Sequence, residues 1–156
     1  MVSYEYVAGF VDGEGCISLV HNGTHKTVTL RISVANTNEE IMQMLHSQFG
    51  GYLSKATAHK NKPHWKSRYC WELNNTQAAQ LLYKIKDYLV VKRKQAALAI
   101  EFLEYKVAVG NTIYLEDSGK EDVERKFVKN KTEEMDKLEN VFKERMHALN
   151  KRGISL

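Results

Sequence analysis

Proline occurs once in the 156 residues, at position 63, and cysteine twice, at 16 and 70. A single proline excludes a proline-rich linker and leaves nearly the whole chain open to regular hydrogen-bonded structure. Two distant cysteines fit no metal-ligand or C-x-x-C spacing, so they read as reduced thiols of an intracellular protein. No apolar run approaches the roughly 18 residues of a membrane span. The opening M-V-S-Y-E-Y-V has neither the basic start nor the long apolar stretch of a secretory signal. No membrane partner is expected. Acids are scarce in one segment: from Gly15 to Trp71 the only ones are Glu39 and Glu40. The same segment holds Lys26, Arg31, Lys55, Lys60, Lys62, Lys66 and Arg68. Over the whole chain 23 Lys and Arg face 19 Asp and Glu, a net charge of only +4. The excess is therefore concentrated, a footprint suited to a polyanion.

What is present reads as one domain over residues 1–156, with a core of about 4–109 and a C-terminal helical extension of about 118–151. Residues 4–13 read as a short helix. Residues 16–21 and 27–35 alternate: Ile17, Leu19, Val28, Leu30, Ile32 and Val34 face one way, and Cys16, Ser18, Thr27, Thr29, Arg31 and Ser33 the other. That is a two-faced antiparallel hairpin, closed by the turn His21-Asn22-Gly23-Thr24. Thr37 and Glu40 fit a capping box for a helix carrying Ile41, Met44, Leu45 and Phe49, which Gly50-Gly51 stops. Tyr52–Ala56 and Ser67–Leu73 form a second hairpin joined by a long basic loop, Thr57–Lys66. Tyr69, Trp71 and Leu73 point one way, and Arg68, Cys70 and Glu72 the other. Helices follow from about Thr76 to Ile85 and from about Lys94 to Val109, the latter with Ala97, Leu98, Phe102 and Leu103 inward. Ser118 with Glu121 caps a last helix of roughly thirty residues, whose apolar positions include Leu138, Val141, Phe142 and Leu149. The order α-β-β-α-β-β-α, then more helix, predicts an α+β fold: one four-stranded antiparallel sheet with helices on one face.

The other sheet face then shows small polar groups and donors. A solvated face is the ordinary explanation, but a β-ribbon fits the DNA major groove, and Arg, Ser and Thr suit base edges.

The stretch Y-V-A-G-F-V-D-G-E-G-C-I-S, residues 6–18, needs its own account. Two glycines inside a helix cost about 1 kcal/mol each relative to alanine. A C-capping role explains Gly13 but not Gly9. Beside Ala8, the two form a small-residue face that a second helix backbone can approach closely. The motif occurs once, so the natural partner is the same helix of a second copy across a two-fold axis. An EF-hand reading of Asp12, Glu14, Gly15 and Ile17 fails, because Phe10 and His21 then occupy the essential first and last ligand positions.

V-A-G-F-V-D-G-E-G, residues 7–15, resembles the nine-residue signature of the LAGLIDADG homing endonucleases. Ala8, Gly9, Asp12, Glu14 and Gly15 stand at motif positions, Val7, Phe10 and Val11 are conservative, and Gly13 replaces the motif alanine. The predicted element order is also that of the family core, and a single motif copy resembles the homodimeric subclass. The resemblance implies a saddle-shaped sheet and a dimer packed through Ala8, Gly9, Asp12 and Gly13. It implies Glu14 as the metal-binding carboxylate, with a Gly13 carbonyl beside it, and Asp12 in a structural role at the helix end. Paired carboxylates need cations between them, and hard oxygen ligands suit Mg²⁺, or Mn²⁺. L-V-V-K-R-K-Q-A resembles the segment that supplies an active-site lysine, matched to Lys92 with Lys94, two residues on, as the alternative register. Asn36 matches a polar residue that positions water. An arginine common in the family's next helix is missing from N-E-E-I-M.

The expectation is thus a homodimeric, sequence-specific double-strand DNA endonuclease, intron-encoded, cutting a long pseudo-palindromic site and leaving 3′ overhangs. Base readout falls to Ser18, Thr27, Thr29, Arg31, Ser33, Lys55, Arg68, Cys70 and Glu72, with His21, Asn22 and Lys26 at the hairpin tip. Phosphate contacts fall to Lys60, Lys62, Lys66, Lys92, Arg93 and Lys94. A rival on the same fold is a maturase that binds intron RNA; a pure RNA binder has no need of Glu14 with Lys92. The expected location is intracellular: an organelle (mitochondrion or chloroplast) or the prokaryotic cytoplasm.

Overall fold

The computed structural model describes residues 1–22, 27–57, 61, 64–109 and 132–151. Its elements run α1 (Tyr4–Glu14), β1 (Gly15–His21), β2 (Val28–Asn36), α2 (Glu39–Phe49), β3 (Tyr52–Ala56), β4 (Arg68–Asn74), α3 (Asn75–Ile85), α4 (Arg93–Ala108) and α5 (Glu133–Asn150). This is the expected α+β order. The strands form one antiparallel sheet in the order β1-β2-β4-β3. The two hairpins therefore join through β2 and β4, from Arg31 opposite Asn74 to Asn36 opposite Tyr69. Period-2 burial follows: Ile17, Leu19, Val28, Leu30, Ile32, Val34, Tyr69, Trp71 and Leu73 are buried under the helices. Trp71 is fully buried, and its indole N–H donates to the Gly50 carbonyl at 2.8 Å.

Local chemistry sets the boundaries. Ser3 caps α1, its hydroxyl accepting from the Tyr6 amide at 3.2 Å. Gly51 sits at φ 87°, and a Cβ there would lie 2.4 Å from the Glu72 carbonyl oxygen, so only glycine can turn α2 into β3 at this point.

Four expectations are corrected. Asn38, not Thr37, caps α2, through its side-chain oxygen and the Ile41 amide. The helix therefore starts one residue later, and it buries Met42 with Leu45 while Met44 is exposed. In α4, Ala96 and Ala99 are buried and Ala97 is exposed, because the inward stripe is centred on Leu98, Phe102 and Leu103. The long last helix does not run through position 132. Thr132 has extended backbone and caps a helix that begins at Glu133; the proposed cap at Ser118 and Glu121 lies outside the described residues. On α5, Phe142 and Met146 are buried, whereas Leu138 and Val141 are exposed.

A buried carboxylate fastens α5. Glu139 is 1% exposed. Its Oε1 lies 2.6 Å from Lys106 Nζ on α4, and its Oε2 accepts from the Val28 amide of β2 at 3.2 Å. Asn150 donates from Nδ2 to the Ile17 carbonyl at 2.8 Å. The ion pair thus ties the last helix to α4, and the hydrogen bonds of Glu139 and Asn150 tie it to the first hairpin. Removing one partner strands a buried charge. Glu139→Ala is expected to cost about 3–5 kcal/mol, read as a lower urea midpoint. Replacing both partners, Lys106→Met with Glu139→Leu, should recover most of that loss; no recovery would mean that the carboxylate acts mainly through the Val28 amide.

Candidate active site and nucleic-acid interface

The first residues after the core that need explaining are at the end of α1. Val7, Ala8 and Val11 are fully buried in the chain's own core. Ala8 is therefore not on the open face expected for it. Gly9 and Gly13 are, and a Cβ built on either meets no described atom within 4 Å. Neither glycine is required by packing against the described residues. Gly15 is the opposite case: a Cβ there would lie 2.8 Å from the Val11 carbonyl oxygen, so its smallness lets β1 turn directly off the helix.

Between these glycines Asp12 makes the densest polar contacts of the region. Its Oδ2 accepts from the amides of Val90 at 2.7 Å and Val91 at 3.2 Å, and its Oδ1 from that of Lys92 at 3.0 Å. Lys92 Nζ returns to the Asp12 carbonyl at 2.6 Å. Lys92 is the N-cap of α4 and makes no cap bond of its own, and α4 has no acid in its first turn. Asp12 supplies the missing negative charge at that helix start. Partial burial alone would raise its carboxyl pKa. The Val90, Lys92 and Val91 amides, helped by the Lys92 charge, outweigh burial and hold it below the ordinary 3.8.

These contacts place the two candidate lysines. Lys92 stands against the C-terminal end of α1, two residues from the exposed Glu14. Lys94 instead lines a shallow groove between α4 and α5 with Ala97, Leu98, Glu101, Arg145, Ala148 and Leu149. Arg93 is exposed, with Nε donating to the Leu89 carbonyl at 2.9 Å. Asn36 ends β2, and its Oδ1 accepts from the Asn38 amide at 2.8 Å, so it also shapes the turn into α2. Among the described residues no three His, Cys, Asp or Glu side chains converge. One chain offers a divalent cation Glu14 and main-chain oxygens. These are donors of the right hardness, but too few without a second copy.

The open sheet face is read from register. Opposed residues share a face, which groups Ser18 with Arg31 and Asn74, Cys16 with Ser33, Glu72 and Tyr52, and Ala35 with Cys70 and Ser54; Ala56 with Arg68 and Val20 with Thr29 complete it. Ser18, Thr29, Arg31, Ser33, Arg68, Cys70 and Glu72 thus lie together as expected, and Thr27 precedes them on the same alternation. Lys55 does not. It opposes Tyr69, with Nζ 5.3 Å from that ring, on the side of the helices. Sequence reasoning missed Tyr52 and Ser54, which take its place on the open face. His21 opposes buried Val28 and is exposed at the hairpin end with Asn22. Lys66 is exposed; Lys26, Lys60 and Lys62 lie outside the described residues. Burial pushes the Cys70 thiol above 9.0, and Glu72 adds to this against Arg68 and Arg31, so the thiol stays protonated at neutral pH.

A sequence profile described as LAGLIDADG endonuclease matches residues 7–103, more than half of the chain. Solved structures share the fold. The homing endonuclease I-CvuI in complex with its target in the presence of 2 mM Ca superposes with a TM-score of 0.63 at 18% identity, covering 98% of this chain and 85% of that one. I-CvuI with the I-CreI target in 2 mM Mg, its DNA not cleaved, gives 0.60 at 17%, with the same coverage. The archaeal intron-encoded homing endonuclease I-Vdi141I complexed with DNA gives 0.63 at 15%, covering 97% and 86%. Comparison with curated proteins gives no match.

The depressed pKa of Asp12 fixes a pH dependence. A carboxyl lowered in the folded state contributes stability that is fully present above its unfolded pKa, near 3.8, and is lost as pH falls through the folded value. Asp12→Asn is therefore expected to lower the urea midpoint at neutral pH and to flatten its decline below about pH 4. Parallel acid limbs in the two proteins would show that the clamp does not depend on charge.

Proposed function

The chain belongs to the LAGLIDADG endonuclease family, and from that membership we propose that it is a homodimeric, sequence-specific double-strand DNA endonuclease. The observation that carries this reading is the meeting of the motif end with Lys92: an ammonium is held 2.6 Å from the Asp12 carbonyl, two residues before an exposed Glu14, at the end of a helix whose glycine face is open. Two copies joined through that face bring two Glu14 side chains and two Lys92 side chains to one centre. Each copy then presents its polar sheet face to one half of a pseudo-palindromic site, with the acid-poor segment turned toward phosphate.

Glu14 and the Gly13 carbonyl would hold a divalent cation of the Mg²⁺ or Mn²⁺ type. When bound, such an ion lowers the pKa of water and stabilises a leaving oxygen. The chain's own residues orient the rest. Asp12 fixes the backbone of Lys92 and one of its three ammonium donors, leaving two to face a phosphate whose charge grows in the transition state. Asn36, at the end of β2, would orient water. Cleavage of each strand across the minor groove leaves short 3′ overhangs, the host element is an intron, and the protein acts inside an organelle or a prokaryotic cell.

The decisive experiment is cleavage, with Mg²⁺, of a plasmid carrying the uninterrupted host-gene junction. Wild type is expected to linearise it, Glu14→Gln to abolish cutting, and Lys92→Met to slow it by about 10²–10³ with little change in DNA affinity. Equal cutting by wild type and Glu14→Gln would show that the carboxylate is misassigned. Tight binding of folded intron RNA without any cutting would point to the maturase instead.

Association is tested separately. Gly9→Leu meets open space in a single chain and improves helix propensity by roughly 1 kcal/mol. It should therefore keep the fold, by circular dichroism and thermal melting, yet elute as a monomer in gel filtration where wild type elutes as a dimer. A variant that stays dimeric would place the interface elsewhere.

A further inference from the structure

Arg31 and Glu72 are the one oppositely charged pair on the open sheet face among the described residues. They come from the two central strands, β2 and β4, as diagonal neighbours: Arg31 opposes Asn74, and Glu72 opposes Ser33. Arg31 Nη1 lies 3.9 Å from Glu72 Oε1, with the side chains 38% and 31% exposed. At that distance the carboxylate orients the guanidinium by charge but takes none of its donors as a hydrogen bond. No described group takes Arg31 Nε either; that atom is buried without a partner. The strand beneath is fixed, since Ser18 Oγ donates to the Arg31 carbonyl at 3.4 Å. Arg31 is thus a fork of donors held in place and left unspent, with a carboxylate at its side.

That pairing has a chemical complement. In the major groove a G·C pair shows the two acceptors of guanine, O6 and N7, next to the N4 amino donor of cytosine. A guanidinium takes the first two bidentately and a carboxylate takes the third. Guanine O6 and cytosine N4 are bonded to each other, so a fork and an acceptor already side by side meet both without moving apart. C·G and A·T pairs put a donor before the arginine and an acceptor before the glutamate, and a T·A pair replaces the guanine N7 acceptor with the thymine methyl, which leaves the fork half paired.

The geometry points to Arg31 and Glu72 as a composite reader of a single G·C base pair, one in each half of the target. This deepens the DNA-recognition reading given above and rests on it. Glu72 has a second consequence. It repels phosphate, so it keeps Arg31 from settling on the backbone and reserves it for a base edge.

The test is binding selection by the full-length protein from a randomised duplex DNA library, followed by the same selection with Glu72→Gln and with Arg31→Lys. Glutamine keeps the shape of glutamate but can present a donor as readily as an acceptor; lysine keeps the charge but lacks the fork. Wild type is expected to fix G·C in one orientation at one position per half-site. Both variants should relax that same position by about 5- to 150-fold and leave the rest of the site unchanged. Enrichment in which the two variants alter different positions, or none, would overturn the composite reader while leaving DNA recognition intact. Failure of the wild type to enrich any sequence would sink the DNA-recognition reading and this inference with it.

Discussion

The pairing of β2 with β4 is the constraint on which the surface depends. The two hairpins are separate in sequence, and nothing but this ladder, Arg31 to Asn36 against Asn74 to Tyr69, brings them into one sheet. Side chains alternate with period 2, so a one-residue slip would turn Trp71, Leu73 and Tyr69 outward and Cys70 and Glu72 into the core. The buried indole of Trp71, with its bond to the Gly50 carbonyl, resists such a slip. Close approach at Gly51, where β4 leaves no room for a Cβ, holds the β3 side as well. The same register that fills the core therefore decides which polar groups share the open face, and places Arg31 beside Glu72.

A second coupling runs perpendicular to the sheet. α1 packs by Val7, Ala8 and Val11 on the sheet, while its far end is bound by Asp12 to the backbone that opens α4. That bond joins residues 80 apart and brings Lys92 to the last turn of the motif helix. One carboxylate thus serves as the cap of a distant helix and as the support of a neighbouring cation. Its conformational role accounts for an acid two residues before Glu14, although only the latter is exposed. The two acids of D-G-E differ in what faces them: three amides for Asp12, and open surface for Glu14.

The sheet, its helical face and the motif were legible because each rests on a local pattern. Alternation over residues 16–21, 27–35 and 67–73 is long enough to fix both faces of three strands. β3 has five residues, Y-L-S-K-A, and only Leu53 among them marks an inside; the Lys55 error came from reading charge in place of alternation, which sets Lys55 two residues from Leu53 on the same side. Thr37 and Asn38 are both good caps, and the choice between them was made by Asn36, whose side chain takes the Asn38 amide and leaves Asn38 as the first residue free to cap. Met42 rather than Met44 is buried because it lies three residues before Leu45 on the face turned to the sheet. Glu139 left no trace at all in the sequence. It reads as one more acid on an amphipathic helix, and its partners, Lys106 and the Val28 amide, lie 33 and 111 residues away. Contacts of that range are products of the fold, and no periodicity announces them.

Position, more than composition, separates residues that build this molecule from residues left over to act. Asp12, Glu139 and Asn38 have acceptors taken up by backbone amides of neighbouring elements or of a helix start, and Glu139 gives its other oxygen to the Lys106 ammonium. Glu14, Gly9 and Gly13 are needed by nothing in the described chain: two glycines weaken a helix without relieving any contact, and a carboxylate stands exposed at its end. The described chain gains nothing from that arrangement, which is why the dimer proposed above assigns its cost to a partner. In that proposal a second copy would offer the matching glycine face by symmetry, and two carboxylates brought together would repel each other unless a cation or a shared proton stood between them. Under that proposal the glycines, the carboxylate and the demand for a cation would be consequences of one geometry, in which a half-site per chain becomes a whole site per pair.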